Sequence, residues 1–171
     1  MTRLSQLGFV VSLALLGACA QHSPYQGQEG RRIKSLSAEE VDGYLEGRGM
    51  GYAKPAELSG YPGPMHVLEL ADRLALTNEQ RSATQALLGE HKAEVRELGR
   101  RYVESEAELD ALFASRKAST ESLADALARS ADLQRRIRLS HLSTHVRQTA
   151  LLTPEQVDAY ARLRGYASHA H

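Results

Sequence analysis

The chain has 171 residues, with 21 Lys and Arg balanced by 21 Asp and Glu, one Cys, no Trp and two Phe. A balanced charge offers no basic surface to a nucleic-acid backbone, and a single thiol excludes both a disulfide framework and a multi-cysteine metal site within the chain. The length suits one modest domain behind a leader.

Met1-Thr-Arg3 is followed by an apolar run from Leu7 to Leu16 and then by Gly17-Ala18-Cys19. A run this short, behind a cation and ahead of small residues, reads as a secretory leader over residues 1–18 and not as a transmembrane helix. The small residues before Cys19 resemble a bacterial lipobox. That resemblance implies cleavage before Cys19, lipidation of Cys19 and, because Ala20 is not Asp, anchoring in the periplasm at the outer membrane. An ordinary leader cut near Ala18 or Ala20 is the alternative. Loss of residues 1–18 removes only Arg3 among the charges, leaving 20 cations against 21 anions. An acyl anchor holds a protein to a membrane without spanning it. It also consumes the only thiol, so a metal must be bound by imidazole, carboxylate or thioether.

Residues 19–35 are expected to be a flexible tether, polar and containing Gly, Gln and Ser from Ala20 to Gly30. An all-helical domain is expected over residues 36–166, with residues 167–171 as a disordered tail. Ser37-Ala-Glu-Glu40 is a capping box ahead of Val41, Tyr44 and Leu45, which predicts a helix over Ala38–Glu46. Glycines and prolines from Gly47 to Pro64 then predict an extended loop, either packed across the helices or functional, with Tyr52 and Tyr61 serving either role.

A second helix is predicted from Pro64 to about Leu74, with Val67, Leu70, Ala71 and Leu74 as its apolar stripe. Leu76-Thr-Asn-Glu-Gln80 opens a third, expected to run from Asn78 to Phe113. Its positions 88, 91, 95, 98, 102, 105, 109 and 112 form a coiled-coil-like seam in which His91 and Ser105 are the polar members. Residues 114–118 read as a turn and Ser119 as the cap of a fourth helix. That helix places Leu123, Leu127, Ile137, His141, Thr144 and Leu151 along one face, and Leu139, Leu142 and Val146 on another. Two apolar sides point to contact with more than one helix or with a second subunit, so a homodimer is expected. Leu152-Thr-Pro-Glu-Gln156 repeats the capping box and starts a fifth, short helix that Gly165 ends. No segment alternates with period two, so no sheet is expected. The expected fold is all-α: a long antiparallel helical hairpin with short flanking helices.

The two Leu-Thr-x-x-Gln boxes, with Tyr61-Pro-Gly-Pro-Met-His-Val-Leu-Glu-Leu70 and His141-Leu-Ser-Thr-His145, make the chain from about Gly60 to Tyr166 resemble the Spy/CpxP family and its periplasmic heavy-metal-sensor relatives. The resemblance implies a periplasmic, all-helical, often dimeric protein that is not an enzyme. Some members act as ATP-independent chaperones of unfolded clients, some restrain an envelope sensor kinase, and some bind divalent metal.

The residues themselves offer metal-binding chemistry. His141 and His145 stand four apart on a helix, so their imidazoles share one face at a spacing that can grip one ion. A turn centred near residue 116 places His91 level with His141, and folding the second helix back brings His66 to the same end. Glu69, one turn after His66, and Met65 are further candidate ligands. Such a set suits zinc, copper, nickel or cobalt. Against this, a histidine on a seam is also an ordinary hydrogen-bonded polar layer. The fourth helix has no Met to match the axial ligand of some metal-sensing relatives. His169 and His171 read as a solvated tail, and Arg135, Arg136, Arg138 and Arg147 as a solvated basic stripe paired with glutamates of the third helix. No catalytic motif is present, so no enzyme is expected. The leading expectation is metal binding or sensing through His141, His145 and His66, and the alternative is a metal-independent chaperone or sensor-kinase regulator.

Overall fold

The computed structural model describes residues 23–166. Cys19 and the leader, like His169 and His171, lie outside the described residues. Within them the chain forms only helices: α1 (Ala38–Glu46), α2 (Lys54–Glu57), α3 (Pro64–Glu69), α4 (Asn78–Ala114), α5 (Thr120–Thr149) and α6 (Pro154–Leu163). None is long and apolar enough to cross a membrane. α4 and α5 make the expected hairpin, and the 37 residues of α4 extend about 55 Å at 1.5 Å per residue.

Four of the six helix starts follow from three-residue chemistry. Ser37, Thr77, Ser119 and Thr153 each accept from the amide three residues on, while the side chain of that third residue accepts from the cap's own amide. These reciprocal bonds satisfy donors that a helix N-terminus otherwise leaves bare. α1 ends at Gly47, whose φ of 67° is left-handed and therefore favours glycine.

The hairpin is closed by a core of Leu98, Tyr102 and Val103 from α4 against Leu133 and Ile137 from α5. Each fully buried aliphatic side chain contributes about 1.5–3 kcal/mol. α1 lies across α4 at Gly99, where a Cβ would meet the Tyr44 carbonyl oxygen at 2.1 Å. That close approach lets Tyr44 pack on Tyr102 with ring centroids 4.6 Å apart. The packed chain reaches further toward the N-terminus than residue 36. Ile33 and Leu36 join the same core, the Lys34 amide donates to Asp110, and Ser35 Oγ donates to the buried Glu106 at 2.6 Å.

Three expectations change. The loop after α1 contains a helical turn, α2, with Pro55 as its second residue. α3 stops at Glu69, and residues 70–75 continue as turns, with Ala75 at φ 48°. The apolar spacing survives this break: Val67, Ala71, Leu74 and Leu76 are all buried, in a second core around Tyr160 of α6. Finally, Leu127 is exposed, not on the buried face. The buried positions of α5 run 126, 130, 133, 137, 140, 141, 144 and 148, and Leu127 stands about 100° around the helix from Ala126. Leu139 and Val146 are likewise exposed.

The second core is tied by the two Leu-Thr-x-x-Gln boxes. Gln80 Nε2 donates to Gln156 Oε1 at 2.8 Å, and Gln156 Nε2 donates to Gln80 Oε1 at 3.0 Å. The same nitrogens also reach the carbonyls of Leu151 and Leu74. Each glutamine therefore caps its own helix with its oxygen and clasps the other helix with its nitrogen.

Candidate metal-binding cavity

The segment between α1 and α3 lies across the hairpin where the histidines gather. Tyr52 stacks on the His141 ring with centroids 5.7 Å apart, and its hydroxyl bonds that of Tyr44 at 2.8 Å. The Tyr61 carbonyl accepts from His145 Nδ1 at 2.7 Å. Gly63, the residue before α3, leaves room for the His145 ring: a Cβ there would stand 2.9 Å from Cε1.

A hydrogen-bonded chain fixes the protons of the central pair. Ser140 Oγ donates to the Glu94 carboxylate at 2.7 Å, so the same oxygen accepts from His91 Nδ1–H at 3.1 Å. A neutral His91 then presents a lone pair at Nε2, which accepts from His141 Nδ1–H at 3.1 Å. His141 Nε2 is left with a lone pair and no partner, although the side chain is buried. Burial pushes the His141 imidazole down to about 4, with the neighbouring His91 and His145 adding to the effect. Burial lowers His91 as well, against the opposing pull of Glu94. Both rings are thus neutral near pH 7, the form that ligates metal.

The other two histidines are oriented in the same sense. His145 donates from Nδ1 to a backbone carbonyl, and His66 Nδ1 bonds Glu69 Oε2 at 2.8 Å. A ring held by Nδ1 to a carbonyl or carboxylate keeps Nε2 available, the arrangement in which protein histidines usually hold metal. Glu69 accordingly supports His66 and does not line the cavity.

His66, His91, His141, His145 and Met65 line one cavity of about 520 Å³. All four expected histidines are therefore brought together. They do not converge on a point: among the described residues no three His, Cys, Asp or Glu groups are placed to hold an ion. The donor chemistry fits a borderline transition metal, with imidazole nitrogens, thioethers and a carboxylate, and with two buried atoms that lack a partner, His141 Nε2 and Glu57 Oε2. His91 engages both ring nitrogens, one with Ser140 and the other with His141.

Several lining residues carry no signal in the sequence, among them the candidate ligands Met50 and Glu57. Glu57 accepts from the hydroxyls of Tyr160 at 2.6 Å and Tyr166 at 3.1 Å, and lies 3.7 Å from His145 Nδ1. Neither has a periodic pattern around it in the sequence. Only the fold brings α2 over α5. Of the basic stripe, Arg147 pairs with Glu90 of α4 as expected, whereas Arg135 pairs with Asp132 on its own helix.

A family model described as heavy-metal resistance matches residues 49–159, a span that contains the whole hairpin and all four lining histidines. No curated protein and no solved structure matches the chain.

Proposed function

We propose, from the premise that this chain belongs to the heavy-metal resistance family, that it is a periplasmic, non-catalytic protein that binds a divalent transition metal in the cavity between the α4–α5 hairpin and the α1–α3 segment. The observation that carries this reading is the lone pair of His141 Nε2, buried, unpartnered and on a residue that lines the cavity with three other histidines. A buried acceptor left bare costs about 1–3 kcal/mol, and an ion is one group that relieves it. His141, His145 and His66 are the proposed imidazole ligands, with Met50 or Met65 available to a softer ion. A bound ion in such a site supplies no reaction; its occupancy is the signal or the buffered quantity. Lipidation of Cys19 would keep this activity at a membrane surface, and palmitate labelling that vanishes in Cys19→Ser tests that part.

Calorimetric titration with zinc, nickel and copper tests the reading. Micromolar or tighter binding of one of them is expected, lost in a combined His141→Ala and His145→Ala variant that stays helical. Binding that survives the double substitution refutes the site.

A second reading rests on the exposed side chains of α5. Leu127, Leu139 and Val146 are each more than half exposed on a helix that also carries Arg135, Arg136, Arg138 and Arg147. Apolar residues amid positive charge suit a second subunit or an unfolded client chain. Suppression of client aggregation at stoichiometric amounts, without metal, favours this chaperone reading; no suppression removes it.

A further inference from the structure

The imidazoles do not account for Glu57. It is the one carboxylate lining the cavity, against the cations Lys54, Lys92 and Arg164. Its two oxygens have different surroundings. Oε1 is fully engaged, accepting from Tyr160 and Tyr166 with Arg164 Nε at 3.6 Å. Oε2 is buried with no hydrogen-bond partner. His145 Nδ1 stands 3.7 Å away and gives its proton to the Tyr61 carbonyl at 2.7 Å.

Charge decides what this oxygen is for. Neutral imidazoles add nothing to offset a divalent ion, and three cations already flank the cavity. A dication there without an anionic ligand meets uncompensated repulsion in a partly desolvated site. Resting on the metal-binding reading above, we infer that Glu57 Oε2 is the anionic ligand of the ion, and that Oε1, by keeping the Tyr160 and Tyr166 hydroxyls, couples occupancy to the docking of α6. The second unpartnered atom of the same cavity, His141 Nε2, points independently to a ligand there. The two atoms differ in kind, one a neutral nitrogen and one a charged oxygen, as a mixed imidazole and carboxylate site requires.

The coupling has a direct physical route. Tyr160 is buried in the second core and Tyr166 packs against it. Their hydroxyls reach across to α2, so an ion that immobilises the Glu57 carboxylate also fixes the acceptor to which α6 is bonded. By linkage, α6 docked on Glu57 favours the ion by the same factor as the ion favours docking.

Zinc chloride titration followed by calorimetry and by hydrogen exchange of the α6 amides tests the inference on three proteins. The wild type is expected to bind zinc and to exchange its α6 amides more slowly when loaded. Glu57→Gln is expected to bind about tenfold more weakly or worse. Tyr160→Phe with Tyr166→Phe is expected to retain zinc binding while zinc no longer slows α6 exchange. Glu57→Asp keeps the charge and shortens the reach, so if Glu57→Gln loses helix, weakened binding in Glu57→Asp supports the ligand role. Wild-type binding that is unchanged in the Glu57 variants overturns the ligand assignment while leaving the metal reading intact. Zinc-slowed exchange that persists in the double Phe variant overturns the coupling. A wild type that binds no zinc, nickel or copper overturns the metal reading itself, and this inference with it.

Discussion

Gln80 and Gln156 hold each other through both ends of their amides, nitrogen to oxygen at 2.8 Å and 3.0 Å, across a sequence separation of 76 residues. Each oxygen also accepts from its own helix cap, at Thr77 and Thr153. One residue type thus performs a local task and a long-range one. The pair joins the start of the hairpin to the start of the last helix.

Replacing either glutamine by Ala removes a cap partner and leaves the other amide with unmatched groups in a partly buried position. A loss of about 2 kcal/mol is expected for each single variant, from one or two net hydrogen bonds and the orphaned partner. A double-mutant cycle measured by urea unfolding should return a coupling of about 1 kcal/mol. Additive losses would show that the two boxes are independent caps.

Gly99→Ala sets two effects against each other. Alanine in a helix interior gains up to about 1 kcal/mol over glycine. Here its Cβ would meet the Tyr44 carbonyl oxygen at 2.1 Å, and that backbone atom belongs to α1. Overpacking of this kind costs about 1–3 kcal/mol, so net destabilisation with loss of the Tyr44–Tyr102 contact is expected. A stabilised variant by thermal unfolding would show that α1 does not sit so close to α4.

Acid should weaken the fold before it reaches the carboxylates. His141 is depressed to about 4 in the folded chain by burial first, and His91 is lowered by the same cause. The unfolded chain binds protons at these rings below about pH 6.5, and the folded chain does so only further down. Stability contributed by the neutral rings is therefore complete above pH 6.5 and is lost as pH falls toward 4. Denaturant midpoints across that window should decline in the wild type and decline less in His141→Gln.

Much of this fold was legible in the sequence, because caps and periodicities are local. Ser37, Thr77, Ser119 and Thr153 each announce a helix with a partner three residues away, and α1 spans the predicted Ala38–Glu46. The level pairing of His91 with His141 followed from the turn position alone. What the sequence hid depends on tertiary contact. The register that buries Ala126 and exposes Leu127 is chosen by α4. The burial of Ile33 and Leu36 needs the surface of the hairpin. Glu57 acquires its neighbours only when α2 and α6 meet. His66 was legible as a candidate, whereas the bond that makes Glu69 its support was not.

Gly63→Ala probes the cavity wall with little backbone penalty, since its φ of −88° suits any residue. The added Cβ would lie 2.9 Å from His145 Cε1 and 3.1 Å from Nε2, so the ring must turn away from the Tyr61 carbonyl. Helix content should be retained and zinc affinity should fall about tenfold. Unchanged affinity would show that His145 binds metal from a different rotamer or does not bind it.

The central claim is that metal is held by His141 and His145, and X-ray absorption at the zinc edge of the loaded protein measures that most directly. At least two imidazole nitrogens at about 2.0–2.1 Å are expected in the first shell, with the imidazole scattering lost in the combined His141→Ala and His145→Ala variant. A first shell of oxygen alone, or one that is unaltered by the double substitution, would contradict the account.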